Sequence, residues 1–205
     1  MTLDDMVRRH GSWLEAGVDE AGRGPLAGPV VVAAVILPLR YELDSLDDSK
    51  RLSALSREQL APQIESQAIA FAVEFVEVDE IDRVNILQAT LNGMQRAVEN
   101  LKPAPQRALI DGNKAPRLSC EVTTVVGGDR LVASISAASV LAKVYRDRLM
   151  LAMHNLYPAY GFDRHKGYPT AHHLERLKSL GPCPIHRKSF APVRKAMEPG
   201  LGLRI

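Results

Sequence analysis

Four carboxylates stand where apolar segments stop. Asp19 and Glu20 end the stretch 15–20, Asp111 follows Leu109 and Ile110, and Asp129 follows Val125, Val126 and two glycines. A carboxylate beside an apolar strand is costly to bury unless it is paired or bound to a cation, and strand ends on one edge of a sheet would bring several together. Grouped acids repel, and the natural counterion for an all-oxygen set is a hard divalent cation, Mg²⁺ or Mn²⁺. Two such ions about 3.5 to 4 Å apart can activate water and stabilise the leaving oxygen of a phosphodiester. The chemistry these residue types point to is metal-assisted phosphodiester hydrolysis. Taken singly, Asp111 and Asp129 are also compatible with turn or helix-capping roles. Side-chain alternation keeps Asp19 and Glu20 from sharing one face of a regular strand, so either the glycines that follow twist the chain or one acid contributes obliquely. Gly22-Arg23-Gly24 places a cation between two residues without Cβ beside the acidic pair, where backbone amides could approach a sugar or phosphate. A plain turn would carry the same residues, and the GxxxxGK[ST] spacing of a P-loop is absent. No Ser/His or Cys/His set offers nucleophilic catalysis instead.

The elements that must position these groups follow from periodicity. Residues 15–20 and the Val/Ile-rich 28–37 are strand-like, with GRGPLAG between them. Residues 53 to about 67 favour helix, although Pro62 leaves its course open, and 69–78 return to a β pattern. Asp79 precedes a segment with Ile86, Leu87, Thr90, Leu91, Met94 and Val98 at helical spacing, ending before Pro103. Short strands are expected at 107–111 and 121–126. A long helix is expected at about 134–156, ended by Pro158. The loop GFDRHKGYPT, a helix near 171–180 and a basic segment at 186–197 complete the chain. Strands interleaved with helices imply an α/β sheet covered on its faces. Residues 1–156 form the core, and 157–205 form a small basic helical extension packed on it.

Composition narrows the class. The chain has 205 residues, 46% hydrophobic and 24% charged, enough for one domain with a modest appendage. Its two cysteines, Cys120 and Cys183, fit neither a disulfide framework nor a zinc site, which makes a reducing cytoplasm the simplest setting. The longest apolar run, 30–37, is too short to cross a bilayer, and the first residues do not read as a secretory signal. Net charge is +2 overall, but Asp and Glu outnumber Lys and Arg before residue 143 and the reverse holds after it. A basic final third implies a polyanion partner, or else solvated helix faces. Within it, Lys143 and Arg146 lie three apart and can share a helix face for phosphate contact, while Asp147, four residues after Lys143, equally permits a structural ion pair. His165, Lys166, Arg187 and Lys188 would position a duplex without reading its sequence. His172 and His173 read as packing or surface residues.

Taken in order, GVDEAGRGPLAGPVVVAAVIL at 17–37, DDSKRLS at 47–53, LIDGN at 109–113, GGD at 127–129, SISAASVLAKVYRD at 134–147 and HKGYPT at 165–170 closely resemble bacterial type 2 ribonuclease H. The resemblance spans about residues 14–197. It implies a ribonuclease H-like mixed sheet flanked by helices, with a C-terminal helical extension. It also implies an endonuclease, working as a monomer with Mn²⁺ or Mg²⁺, that cuts RNA in RNA/DNA hybrids and at single ribonucleotides embedded in duplex DNA, leaving 5′-phosphate and 3′-hydroxyl ends. On that pattern Asp19, Glu20, Asp111 and Asp129 are the metal-binding carboxylates, and Gly22, Arg23 and Gly24 approach the ribonucleotide. Tyr168 packs on the neighbouring deoxyribose and hydrogen-bonds the ribonucleotide's 2′-hydroxyl, and Ser49 and Lys50 are backbone contacts by resemblance alone. Gly127 stands where relatives often carry Lys. The competing functions are a DNA-cutting nuclease or junction resolvase of related fold, and a non-catalytic nucleic-acid binder.

Overall fold

The computed structural model describes residues 14–43, 46 and 52–198. Five strands form one mixed sheet: β1 (Glu15–Ala21), β2 (Val30–Ile36), β3 (Ala70–Val76), β4 (Arg107–Asp111) and β5 (Glu121–Val125), in the order β3-β2-β1-β4-β5. The first three pair antiparallel, whereas β1–β4 and β4–β5 are parallel. All seven residues of β2 are buried, as expected for a central strand covered on both faces. Among the described residues there are seven α-helices: α1 (Ala54–Gln67), α2 (Val78–Val84), α3 (Ile86–Glu99), α4 (Ala133–Leu156), α5 (Phe162–His165), α6 (Ala171–Leu180) and α7 (Ala191–Met197).

Strand alternation divides the core into two layers. Ala16, Val18, Val32, Ala34 and Ile110 pack against Met94, Ala97 and Val98 of α3. On the opposite face Ala33 and Val35 meet Leu60, Ala61 and Ile64 of α1 and the small-residue stripe Ala137, Ala138, Leu141 and Ala142 of α4. The contact of α4 with β1 is unusually close, because a Cβ added at Gly17 would lie 2.1 Å from the Ser134 carbonyl carbon. Only glycine lets the helix seat there, and that seating carries Ser139 to the strand end where Asp19 stands.

Local chemistry accounts for the helix ends. Ser53 caps α1 by accepting from Ser56 N at 3.0 Å, and α1 runs through Pro62 without interruption. The stretch expected to stay extended to residue 78 ends at Val76, and α2 begins at Val78. Asn85, at φ 72°, separates α2 from α3 and caps the latter through Leu87 N and Gln88 N. Inside the expected loop GFDRHKGYPT lies the single turn α5. The C-terminal elements are tied to the core by two apolar clusters, Ala27, Met150, Tyr160, Phe162 and Cys183, and Leu26, Leu177 and Val193. No described helix is long and apolar enough to cross a membrane.

Candidate active site

β1 and β4 are parallel neighbours with Val18 opposite Ile110, so Asp19, Glu20 and Asp111 leave the sheet at one edge. Asp19 lies on the α4 side, where the Ser139 hydroxyl donates to it and Glu20 N donates to its Oδ1 at 2.7 Å. Glu20, next along the strand, borders a cleft and pairs with Arg23 at 3.2 Å. β1 keeps its register with β2 through Ala21, so the left-handed turn at Gly22, φ 98°, falls after both acids and it is Glu20 that contributes obliquely. Asp111 Oδ1 accepts from Gly128 N at 2.7 Å, which clamps the Gly-Gly-Asp turn onto the end of β4. Asp129 is buried in the 3₁₀ turn Gly128–Arg130. The N-cap of α4 is Val132, so Asp129 does not cap that helix.

Electrostatics single out Asp19 and Glu20, on both of which Asp111 acts as a neighbouring charge. Burial pushes Asp19 up to about 8, helped by the charges of Glu20 and Asp111 and opposed by the Ser139 hydroxyl. Glu20 is also raised by burial and, less, by Asp111, while Arg23 opposes. A carboxyl held back from ionising by desolvation and like charge gains from a nearby cation. The donors are all oxygens, which suits a hard divalent ion. Among the described residues no three His, Cys, Asp or Glu side chains form a ready-made metal-binding group. Mg²⁺ commonly takes one or two carboxylates and completes its shell with waters and substrate phosphates, a demand these acids fit.

Beside the acids opens a cleft of about 390 Å³, bordered by Gly22, Arg23, Gly24, Arg57, Ser139, Lys143 and Tyr168. A second of about 700 Å³ shares Arg57, Lys143 and Tyr168 with the first and adds Arg164 and Lys166. Glu58, Asp147 and Leu151 also line the second cleft, and the basic side chains of the two lead away from the carboxylates. The wall at Gly22–Gly24 is built by chain passing between two C-terminal segments: Leu26 N donates to Gly167 O at 2.8 Å, Gly28 N to Ile185 O at 2.8 Å and Arg187 N to Leu26 O at 2.8 Å. A Cβ at Gly24 would lie 3.6 Å from Tyr168 Cε1, so the tyrosine ring stands against that loop.

Three expectations change here. Arg146 is fully buried and donates to the carbonyls of Pro29 and Ala27, each at 3.1 Å. Its guanidinium carbon lies 5.8 Å from the Tyr168 ring centroid, and a phosphate contact does not describe it. Lys143 makes the ion pair with Asp147 that its spacing allows, at 2.7 Å. His165 is buried, with Nε2 bonded to Tyr160 O at 2.9 Å, so it supports the loop from within and does not face a duplex. Arg187 is likewise buried and donates to the carbonyls of Gly22, Arg23, Pro25 and Gly28 at 2.6 to 3.0 Å. Burial lowers both arginines, Arg187 to about 9, with Arg146 adding repulsion. Lys166 keeps its place in the second cleft while donating to the Asp163 carbonyl. Ser49 and Lys50 lie outside the described residues. Ser139 and Arg57 were not singled out from sequence. The only signal for Ser139 was its polar side chain in an otherwise small and apolar helix stripe.

The ribonuclease HII family model matches residues 16–193. Ribonuclease HII of Bordetella avium (strain 197N) is 59% identical over 179 residues, covering 87% of this chain and 89% of the relative. That of Burkholderia ambifaria is 55% identical over 188 residues, covering 92% and 87%. Among solved structures, ribonuclease H2 from Pyrococcus horikoshii OT3 superposes with TM-score 0.75 at 27% identity, covering 89% of this chain and 96% of that one.

Proposed function

Because the chain belongs to the ribonuclease HII family, and so is a ribonuclease H endonuclease acting on RNA/DNA hybrids, we propose that it is divalent-metal dependent and also cuts duplex DNA on the 5′ side of a single embedded ribonucleotide, leaving a 5′-phosphate and a 3′-hydroxyl. The observation that carries this reading is the placement of Asp19, Glu20 and Asp111 at one sheet edge beside a wall where backbone and an aromatic ring meet. A protein tells RNA from DNA at one nucleotide through the 2′-hydroxyl, which demands close hydrogen bonding. Gly24, without Cβ, lets the backbone come near that hydroxyl, while Gly22 makes room for the Arg146 side chain beneath the loop. The Tyr168 ring, 41% exposed, packs on the neighbouring sugar.

Asp19, Glu20 and Asp111, with Asp129, would hold Mg²⁺ or Mn²⁺. When bound, such ions lower the pKa of water and neutralise charge on the scissile phosphate. Arg23, paired with Glu20 at the border of the cleft, would meet a phosphate there. Lys143, Arg57, Arg164 and Lys166 line the path along which the duplex backbone lies and give affinity without sequence preference. Arg146 and His165 act beneath the surface by fixing the loops.

Cleavage mapping tests the reading with three duplexes: all DNA, DNA carrying one ribonucleotide, and an RNA/DNA hybrid, each with and without chelator. The expected result is one cut 5′ to the lone ribonucleotide, cleavage of the hybrid, an intact all-DNA control, and no cleavage in chelator. Equal cutting of the all-DNA duplex would replace this reading with a DNA nuclease or junction resolvase.

A further inference from the structure

Behind Tyr168 lies a buried stack of histidines that the hydrolytic chemistry does not use. His165 and His173 are stacked with ring centroids 4.4 Å apart, and His173 lies 5.3 Å from His186. Phe162, Tyr160, Cys183 and His172 complete the surroundings. Burial lowers all three histidines, with the other histidines adding to it, and His186 falls to about 4. All three are therefore neutral at pH 7, and their partners fix where each proton sits. His173 Nδ1 lies 2.9 Å from the Tyr168 carbonyl oxygen, which only accepts, so the proton is on Nδ1. His173 Nε2 then accepts from His186 Nε2 at 3.1 Å. That leaves His186 Nδ1 to accept from Cys183 N at 3.0 Å. His165 Nδ1 accepts from Gly167 N at 3.2 Å and its Nε2 donates to Tyr160 O.

This one-way chain ends on the backbone that presents Tyr168. The Tyr168 carbonyl accepts twice, from Thr170 N at 2.8 Å and from His173, so both lone pairs are used. Before it, Lys166 at φ 50° and Gly167 at φ 87° turn the chain through the left-handed region, a conformation a lysine adopts only when its surroundings hold it. The exposed ring touches the rest of the protein at Gly24 and above Arg146, so its position follows its backbone.

We infer that His173, oriented by His186, is a positioning residue for Tyr168, holding through its Nδ1–H the carbonyl from which the ring reaches the sugar beside the ribonucleotide. The inference rests on the reading of Tyr168 given above and extends it to a buried group that never meets the substrate. Loss of the Nδ1 donor degrades recognition of a lone ribonucleotide more than it degrades hydrolysis.

The test compares His173→Asn, whose amide nitrogen can stand where Nδ1 stands, with His173→Gln, whose amide reaches the Nε2 position and leaves the Tyr168 carbonyl short of a donor. The readout is the ratio of kcat/KM on a duplex with one embedded ribonucleotide to that on an RNA/DNA hybrid, with urea midpoints measured alongside. His173→Gln and Tyr168→Ala should each lower the ratio by about tenfold or more, His173→Asn should stay near wild type, and the double variant Tyr168→Ala/His173→Gln should fall no further than Tyr168→Ala alone. Equal ratios in the Asn and Gln variants, tracking their urea midpoints, would reduce His173 to a packing residue and overturn the inference, as would a wild-type ratio in His173→Gln where Tyr168→Ala lowers it. An unchanged ratio in Tyr168→Ala would instead remove Tyr168 from substrate recognition and take the inference with it. Should His173→Gln not fold, ¹⁵N imidazole shifts of the wild-type protein decide: an Nδ1-protonated His173 supports the chain, and an Nε2-protonated one contradicts it.

Discussion

Replacing Gly17 with alanine drives a wedge between β1 and α4 at the place where the helix comes nearest the strand. The added Cβ would lie 2.1 Å from the Ser134 carbonyl carbon, 2.2 Å from Ile135 N and 2.5 Å from Ser134 O. Carbon atoms rest about 3.5 to 4.0 Å apart, so the helix must retreat by about 1 Å or more. The obstructing atoms are backbone, and no side-chain rotamer can relieve the clash. Overpacking of this kind costs about 1 to 3 kcal/mol, and the rigid contact places Gly17→Ala near the top of that range. At about 2 to 4 °C per kcal/mol for a protein of this size, the melting temperature should fall by roughly 6 to 12 °C. The same retreat draws Ser139 away from Asp19, and a 1 Å misplacement near the reacting groups can cost about a hundredfold in rate. Urea denaturation and single-turnover cleavage of a duplex with one ribonucleotide measure the two effects, with Ser139→Ala as the comparison that removes the hydroxyl without moving the helix. Wild-type stability together with a wild-type rate in Gly17→Ala would refute the claim that this seating places Ser139 at the carboxylates.

Three further outcomes follow from the same contacts. His186, lowered by burial to about 4 from 6.5, is neutral in the fold while the unfolded chain takes up its proton, so the stability it contributes is full above pH 6.5 and is lost as pH falls toward 4. The loss should reach about 2 kcal/mol by pH 5, and urea midpoints across that range should fall more steeply for wild type than for His186→Gln; parallel slopes would contradict the assignment. Arg187→Lys keeps a charge but cannot span the four carbonyls of Gly22, Arg23, Pro25 and Gly28, and with about 1 to 3 kcal/mol lost for each carbonyl left unsatisfied, it should be among the most destabilising single changes by urea titration. Asp111→Asn retains an oxygen to accept from Gly128 N, so it should fold normally and bind hybrid in a gel-shift assay yet fail to cut it; unchanged turnover would remove Asp111 from the metal site.

The acids at the sheet edge were legible because they end apolar runs, and the runs themselves disclose β1 and β4. The small-residue stripe of α4 was legible from its period. Asn85 was harder: its neighbours keep helical spacing on both sides, and nothing local announces φ 72°, so α2 and α3 read as one segment with an early start. The least legible residues were Arg146, Arg187 and His165. Charged and imidazole side chains usually face water, and only the folded chain brings together the carbonyls of a loop more than a hundred residues away that make burial of the arginines tolerable. Basic residues near the end of the sequence therefore looked like a duplex-facing surface, whereas part of that charge lies beneath the Gly22–Gly24 wall. His173 fell within the expected choice of packing or surface, but its hydrogen bond to the Tyr168 backbone had no sequence signal.

The central claim is that Asp19, Glu20 and Asp111 converge to hold divalent cations at the scissile phosphate, and diffraction from crystals soaked in Mn²⁺, recorded at the manganese edge, tests it most directly. The account predicts anomalous density beside Asp19, Glu20 and Asp111, with Asp129 alongside, and its loss in Asp111→Asn. Density at another place, or carboxylates still turned only toward Arg23 and Gly128 in saturating Mn²⁺, would contradict it.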